Sequence, residues 1–310
     1  MKPFKIADVE IKNNAVLAPM AGFSDMALRK FAHTYGAGLT YTEMVSAKAL
    51  EFNNKKTEVL LETESGDTPV AVQLFGHDPD VMAKACRNPL LQKFDIVDIN
   101  MGCPTPKITS NGDGSALLNN FELAEKIIRA CVAATKKPIT VKFRIGKDKN
   151  HIVAVEFAKM CERAGASAIT VHGRTVEQGY SGAVNLDIVK DVVNSVSIPV
   201  IASGDCTSQE TFEHILSYTG CAAVMIGRAA IGRPEIFANV QGINPKIDKK
   251  QQILEHAAIL SKYYPERAVV LAMRGIAPQY LKTIPNVTDI KIALSKIQSI
   301  AELKELLKKF

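Results

Sequence analysis

The sequence predicts an α/β fold: a (β/α)8 TIM barrel followed by a small C-terminal all-α helical domain. Three observations predict it. Short β-branched runs recur eight times in the first 240 residues, amphipathic stretches separate them, and the strand rhythm stops after Gly232-Arg233-Pro234. The strand-like runs are 15–18, 39–43, 70–74, 96–100, 139–143, 168–172, 199–202 and 222–226. Helix-like segments lie at 26–35, 79–88, 121–134, 152–164, 186–193 and 208–217. Beyond a joint at Asn244-Pro245-Lys246, segments 247–264, 266–282 and 289–309 read as three helices. The expected division is therefore 1–240 for the barrel and 241–310 for the helical appendage.

A doubly wound open sheet is the competing architecture. Polar residues argue for the barrel, because they follow almost every strand run: Pro19-Met20-Ala21-Gly22, Glu43-Met44, Gln73, Asn100 to Cys103, Lys142 with Arg144, His172-Gly173-Arg174, Ser203-Gly204-Asp205 and Gly227-Arg228. A barrel collects the C-terminal ends of all its strands at one mouth, whereas an open sheet concentrates ligand residues at one switch point.

At 310 residues, with 47% hydrophobic and 23% charged residues, the chain can bury a large core. No apolar run approaches the roughly 18 residues of a membrane span, and the first six residues lack the long apolar segment of a signal peptide. A cytoplasmic protein with no membrane partner is expected. The six cysteines show no C-x-x-C pair, so neither a disulfide framework nor a metal centre is expected. The net charge of +6 is unevenly placed. Residues 241–310 hold 12 Lys/Arg against 6 Asp/Glu, while the first 240 hold 26 of each. All the excess falls on the appendage, as for a segment that meets a polyanion or for a solvated Lys-rich surface; charge alone leaves both open.

Cys103 is the first candidate for chemistry. It follows the run 94–99 on a turn, held between Gly102 and Pro104, whereas a packing cysteine belongs inside an apolar periodic segment. Helix-borne Cys86, Cys131 and Cys161 read as small core residues, and His33, His151, His214 and His256 show no metal spacing. Gly204 and Gly227 fall in the loops after strands seven and eight, where a barrel commonly binds phosphate through backbone N–H groups. Either glycine alone would read as a tight turn. If the phosphate belongs to a flavin mononucleotide, Lys142 would stand near the N1/O2 edge of the ring, Gln73 would meet its polar edge, and His172 would pair with phosphate or ring.

The combination Ala18-Pro19-Met20-Ala21-Gly22-Phe23-Ser24-Asp25, Asn100-Met101-Gly102-Cys103-Pro104, Val141-Lys142-Phe143-Arg144, Val171-His172-Gly173-Arg174-Thr175 and Gly227-Arg228 resembles the tRNA-dihydrouridine synthases. The resemblance runs over essentially the whole chain and is nearest to the bacterial branch with a short helical domain. It implies an FMN enzyme that reduces the C5=C6 bond of selected uridines in tRNA, with NADPH recharging the flavin. Carried onto this chain, it makes Cys103 the general acid at uracil C5 while the hydride of flavin N5 goes to C6. Asn100 and Arg144 would hold a flipped uracil, and Tyr180 would line its pocket. Pro19, Met20, Ala21, Gln73, Lys142, His172, Ser203, Gly204, Asp205, Gly227 and Arg228 fall at the family's flavin positions. Arg274, Tyr280 and Lys282 would contact RNA, and the chain would act as a monomer.

Two departures stand out. The family usually has Asn-Gly-Asp where this chain has Ser203-Gly204-Asp205, so a side-chain amide is lost there while the backbone N–H groups survive. The segment from Met273 to Lys282 replaces the family's usual His and a common aromatic. Two other readings compete: a flavin barrel acting on a small molecule, which leaves the basic appendage without a role, and a catalytically idle RNA-binding barrel.

Overall fold

In a computed structural model, which describes residues 2–52 and 54–309, all eight expected strands form and close into a parallel barrel. A short antiparallel hairpin, β1 (Phe4–Ile6) and β2 (Val9–Ile11), precedes them. The barrel strands are β3 (Ala15–Leu17), β4 (Thr40–Ser46), β5 (Val70–Phe75), β6 (Ile96–Met101), β7 (Ile139–Arg144), β8 (Ala168–His172), β9 (Val200–Ser203) and β10 (Ala223–Ile226). Each pairs with its sequence neighbour from β4 through β10, and β10 returns to β3. Closure between β3 and β4 is made by Leu17 N–H donating to Leu39 O at 2.9 Å and Gly38 N–H to Ala15 O at 2.8 Å.

Side chains alternate with the period of two that a strand imposes. One set, including Val72, Leu74, Val97, Ile99, Val141, Phe143, Ile169 and Val171, packs outward against the helices. The other set faces the barrel interior and changes character with height. At the floor it is apolar, with Val16, Leu39, Ile96, Ala168, Ile201 and Ala223 in one cluster. The same alternation then carries β6 through Asp98 and Asn100, β7 through Thr140, Lys142 and Arg144, and β8 through Thr170 and His172. A dry floor thus supports a polar mouth at the C-terminal ends of the strands.

The hairpin was absent from the sequence reading. Ile6 and Ile11, both 0% exposed, join the floor cluster and cap the barrel from below. Its strands are only three residues each around a turn at Ala7-Asp8, too short for periodicity to register.

The C-terminal region is helical, but its third expected helix, 289–309, is two: Thr288–Leu294 and Ile300–Lys308 follow Lys249–Leu260 and Glu266–Tyr280. Ser299, with φ −147°, caps a new helix by accepting from Glu302 N–H at 3.1 Å, and Arg274 Nε donates to the Ile297 carbonyl at 2.8 Å. That side-chain oxygen supplies an alternative to continuing the ladder. These helices share a cluster with Met26, Ala27 and Phe31 of the barrel helix Met26–Thr34. The appendage therefore sits on the first helix of the barrel, tied further by Lys249 to Glu235 at 2.6 Å and Lys262 to Glu64 at 2.8 Å. Among the described residues no helix is long and apolar enough to cross a membrane.

Candidate active site

Cys103 lies immediately after β6, and its turn is built by Asn100. The Asn100 Oδ1 accepts from Gly102 N–H at 3.1 Å and Cys103 N–H at 2.9 Å, while Nδ2 donates to Gln73 Oε1 at 2.8 Å. The Cys103 carbonyl accepts from Ser115 N–H at 3.0 Å. Two glycines let the turn approach so closely. A Cβ on Gly102 would stand 3.1 Å from Phe143 Cα, and one on Gly114 would stand 2.8 Å from Cys103 O. The thiol is half-buried and makes a single hydrogen bond, to Thr105 Oγ1 at 3.3 Å. It is the one cysteine that is not buried; Cys86, Cys131, Cys161, Cys206 and Cys221 all are.

Beneath the thiol runs a buried polar chain. Gln73 Nε2 donates to Asp98 Oδ2 at 2.7 Å, and Thr140 Oγ1 donates to Asp98 Oδ1 at 2.6 Å. Burial pushes the Asp98 carboxyl up to about 6, against the pull of Gln73, Thr140 and Lys142. Lys142 pairs in register with Asn100 on the neighbouring strand. Its ammonium makes no hydrogen bond or ion pair among the described residues, and burial, then Arg144, lowers it to about 8. Burial likewise drives His172 down to about 2, reinforced by Lys142, Arg144, Arg174 and Arg228, so the imidazole is neutral at physiological pH.

The loops after the last two strands, where the sequence places an anion cradle, have definite shapes. Gly204 adopts φ +124°, and a Cβ there would stand 2.4 Å from Val184 Cγ1 and 3.2 Å from His172 Cδ2. The positive φ and the closeness of Val184 make glycine the residue that fits there. Gly227 lies beside Met20, whose Sδ is 3.7 Å from where a Cβ would be. Arg228 is exposed, its guanidinium 4.6 Å from the Tyr180 ring centre. Asp205 is committed elsewhere: it accepts from Arg174 Nη2 at 2.6 Å and, more loosely, from Arg228 Nη2 at 3.5 Å. Its carboxylate orients cations and does not face an anion itself. Ser203 lends its carbonyl to Gly173 N–H at 3.1 Å.

The other sequence-derived residues fall into three groups. Pro19, Met20 and Ala21 form the turn after β3, closed by Ser24, whose Oγ accepts from Met20 N–H at 2.9 Å and whose N–H donates to Met20 O at 2.9 Å. Arg144 is 3% exposed and is largely spent on the protein, with Nε on Gly102 O at 3.1 Å and Nη1 on the carbonyls of Thr175 and Gly179 at 2.8 Å each. It braces both the thiol turn and the loop carrying Tyr180, which is 61% exposed. Lys282 is exposed on the helical region.

Tyr280 requires correction. The sequence offered it as an RNA contact, but it is 1% exposed, and its Oη meets His256 Nδ1 at 2.8 Å. The face of its helix that carries it is covered by the barrel side of the interface, so RNA cannot reach it. Arg274 is half-buried and donates to Ile297 O and to Gln298 Oε1 at 2.8 Å each, so it holds the break between the last two helices. Sequence reasoning missed Asp98, Thr140 and Gly114. An Asp inside a β-branched run, two residues from Asn100 on the same strand face, was the available signal for the first.

Among the described residues no group of three or more His, Cys, Asp or Glu could hold a metal ion. The residues present do fit a phosphorylated, electron-rich ligand. Among the described residues the Lys142 ammonium has no hydrogen-bond or ion-pair partner, and the buried Arg174 Nη1 has no hydrogen-bond acceptor. Fold and mouth together define a class: a (β/α)8-barrel enzyme whose mouth carries a half-buried thiol and buried cations. Among solved structures, morphinone reductase shares the barrel with a TM-score of 0.57 at 11% identity, covering 79% of this chain and 90% of that one.

The particular family follows from sequence. The chain belongs to the dihydrouridine synthases, flavin-dependent oxidoreductases, since the family described as "Dihydrouridine synthase (Dus)" matches residues 16–310. It is 34% identical over 307 residues to tRNA-dihydrouridine synthase B of Pseudomonas aeruginosa, covering 96% of this chain and 92% of the relative. It is 37% identical over 306 residues to tRNA-dihydrouridine synthase B of Vibrio parahaemolyticus, covering 95% and 94%.

Proposed function

We propose that this chain reduces uridines of tRNA to 5,6-dihydrouridine, with FMN in the barrel mouth, NADPH as reductant and Cys103 as the acid. Residues 1–240 form the catalytic FMN domain and 241–310 the tRNA-binding domain, in a monomeric cytoplasmic protein. The observation that carries the reading is the Cys103 turn: a half-exposed thiol, fixed through Asn100 and bonded only to a hydroxyl, beside an anion cradle.

Bound FMN would supply the hydride for uracil C6, and NADPH would restore it. The chain's residues do the rest. Charge that builds toward C5 and O4 of the base is quenched when Cys103 Sγ delivers a proton to C5, a role typically contributing about 10²- to 10⁴-fold in rate. Asn100 and Arg144 hold that thiol in place from either side of the turn. Gly204, Gly227, Arg228 and neutral His172 are the groups offered to the phosphate, and Lys142 and Gln73 are offered to the ring. Pro19, Met20 and Ala21 wall the cradle, Ser203 and Asp205 shape it through backbone and arginine contacts, and the exposed Tyr180 lines the base pocket.

A uridine in folded RNA must leave its stack to enter a barrel mouth. The phosphate backbone then needs its own support, and exposed Lys282 on the basic helical region offers it. Each phosphate neutralised adds about 0.7 to 0.9 to the salt slope of binding.

The test is nucleoside analysis of unmodified tRNA incubated with the protein, FMN and NADPH. Dihydrouridine should form, and Cys103→Ala should keep flavin and tRNA binding while losing most of the product. Full activity of that variant at neutral pH would remove the thiol from the mechanism, and turnover of free uridine alone would favour a small-molecule enzyme.

A further inference from the structure

A buried polar chain joins the helical appendage to the loop that walls the anion cradle. Asp25 divides its carboxylate. Oδ1 caps the helix Met26–Thr34 by accepting from Ala27 N–H at 3.0 Å and Leu28 N–H at 2.9 Å, and Oδ2 meets His256 Nε2 at 2.9 Å. His256 Nδ1 then meets Tyr280 Oη at 2.8 Å. The imidazole thus engages the carboxylate at one ring nitrogen and the phenol at the other. His256 and Tyr280 are each 1% exposed, and Asp25 is 9% exposed. Phe31 stacks edge-on against the imidazole at 5.9 Å.

The barrel end of this chain is one residue from the cradle wall. Ser24, next to Asp25, closes the turn on Met20 through three hydrogen bonds: Met20 N–H to Ser24 Oγ, Ser24 Oγ to Met20 O, and Ser24 N–H to Met20 O. The Ser24 carbonyl is itself pinned by Arg29 Nη1 at 3.0 Å. At its other end the turn places the Met20 sulfur 3.7 Å from where a Cβ on Gly227 would lie. The path from the appendage to the cradle is therefore Tyr280, His256, Asp25, Ser24, Met20, Gly227, with no solvent-exposed break before the turn.

We propose that His256, supported by Tyr280, is a positioning residue for the cofactor: it fixes the Met20 turn through Asp25, so that the seating of the helical domain sets the shape of the flavin site. An apolar interface would hold the two parts together equally well, and the cluster around Met273 and Val269 already does so. A hydrogen-bonded chain adds direction, because each partner is satisfied in one geometry only. The proposal rests on FMN being the ligand of the mouth.

The test uses the full-length chain, freed of flavin and titrated with FMN while its visible absorption is recorded. His256→Ala should weaken FMN binding about tenfold, the scale on which loss of a supporting hydrogen bond acts on a bound group, and should alter the shape of the flavin bands. Tyr280→Phe should act in the same direction to a smaller extent. His256→Gln, which restores an N–H toward Asp25, should recover much of the affinity. Val269→Ala, a cavity in the same apolar cluster, should lower the melting temperature and leave FMN affinity and spectrum unchanged. Wild-type FMN affinity and spectrum in both His256→Ala and Tyr280→Phe would overturn the proposal, as would a loss in Val269→Ala matching theirs. Failure of the wild-type chain to bind FMN would overturn this proposal and the assigned cofactor together, whereas equal binding by all variants overturns this one alone.

Discussion

Replacing Asp98 by Asn should stabilise the protein at neutral pH, and the gain should disappear in acid. The carboxylate is 0% exposed and titrates at about 6 where 3.8 is ordinary, because burial outweighs Gln73, Thr140 and Lys142. Between those two values the folded protein binds the proton more tightly than the unfolded chain does. Wild-type stability therefore falls as pH rises from about 4 to about 6. Two pH units at about 1.4 kcal/mol each make the full penalty at pH 7 about 3 kcal/mol. The amide escapes it but disturbs one contact. Its Oδ1 can keep the Thr140 hydroxyl, while its NH2 meets the NH2 of Gln73, and relieving that clash costs about 1 to 2 kcal/mol. The variant should thus be more stable than wild type by about 1 to 2 kcal/mol at pH 7 and less stable near pH 4. Urea midpoints measured at intervals from pH 4 to pH 8 give the difference directly. A difference that does not change with pH, or that shrinks as pH rises, would refute the reasoning.

Three further outcomes follow from the same mouth. Gly204→Ala puts a Cβ 2.4 Å from Val184 Cγ1 at φ +124°; it should cost about 1 to 3 kcal/mol in thermal unfolding and weaken FMN binding in a titration. Asn100→Ala strips acceptors from the N–H groups of Gly102 and Cys103 and leaves Gln73 short of a donor. It should cost about 1 to 3 kcal/mol for each buried group left unpaired and slow dihydrouridine formation far more than it weakens tRNA binding. Lys142 carries its charge below about 8 and loses it above. FMN affinity of the wild-type chain should therefore decline as pH rises through that value, and Lys142→Met should bind weakly with no such decline in the same titration.

Much of the barrel was legible because its signals are local. Each strand is a β-branched run next to a helix whose cap is a neighbour in sequence, as Asp78, Asn120, Asn185 and Ser208 are for theirs. Cys103 could be singled out for the same reason: glycine and proline on either side of a thiol define a turn without reference to anything distant. The gradient inside the barrel was also written in the alternation of Ile96, Asp98 and Asn100, although only Asn100 was read from it. What escaped depended on partners remote in sequence. The hairpin of β1 and β2 is a strand pair only because the barrel floor needs Ile6 and Ile11. The last long helix breaks because Arg274 takes the Ile297 carbonyl and Ser299 restarts the ladder.

By itself, then, the chain's order of residues determined the barrel, its mouth, the thiol on the rim and the basic helical end, since each arises from contacts between near neighbours and from the fixed periods of strand and helix. Only the tertiary structure decided which side of the appendage is covered. Tyr280 sits on an amphipathic helix that could have shown it to solvent. A carboxylate 255 positions earlier and an imidazole 24 positions earlier turn it inward, because a buried hydroxyl goes where its hydrogen-bond partners are, and those partners meet only once the chain has folded.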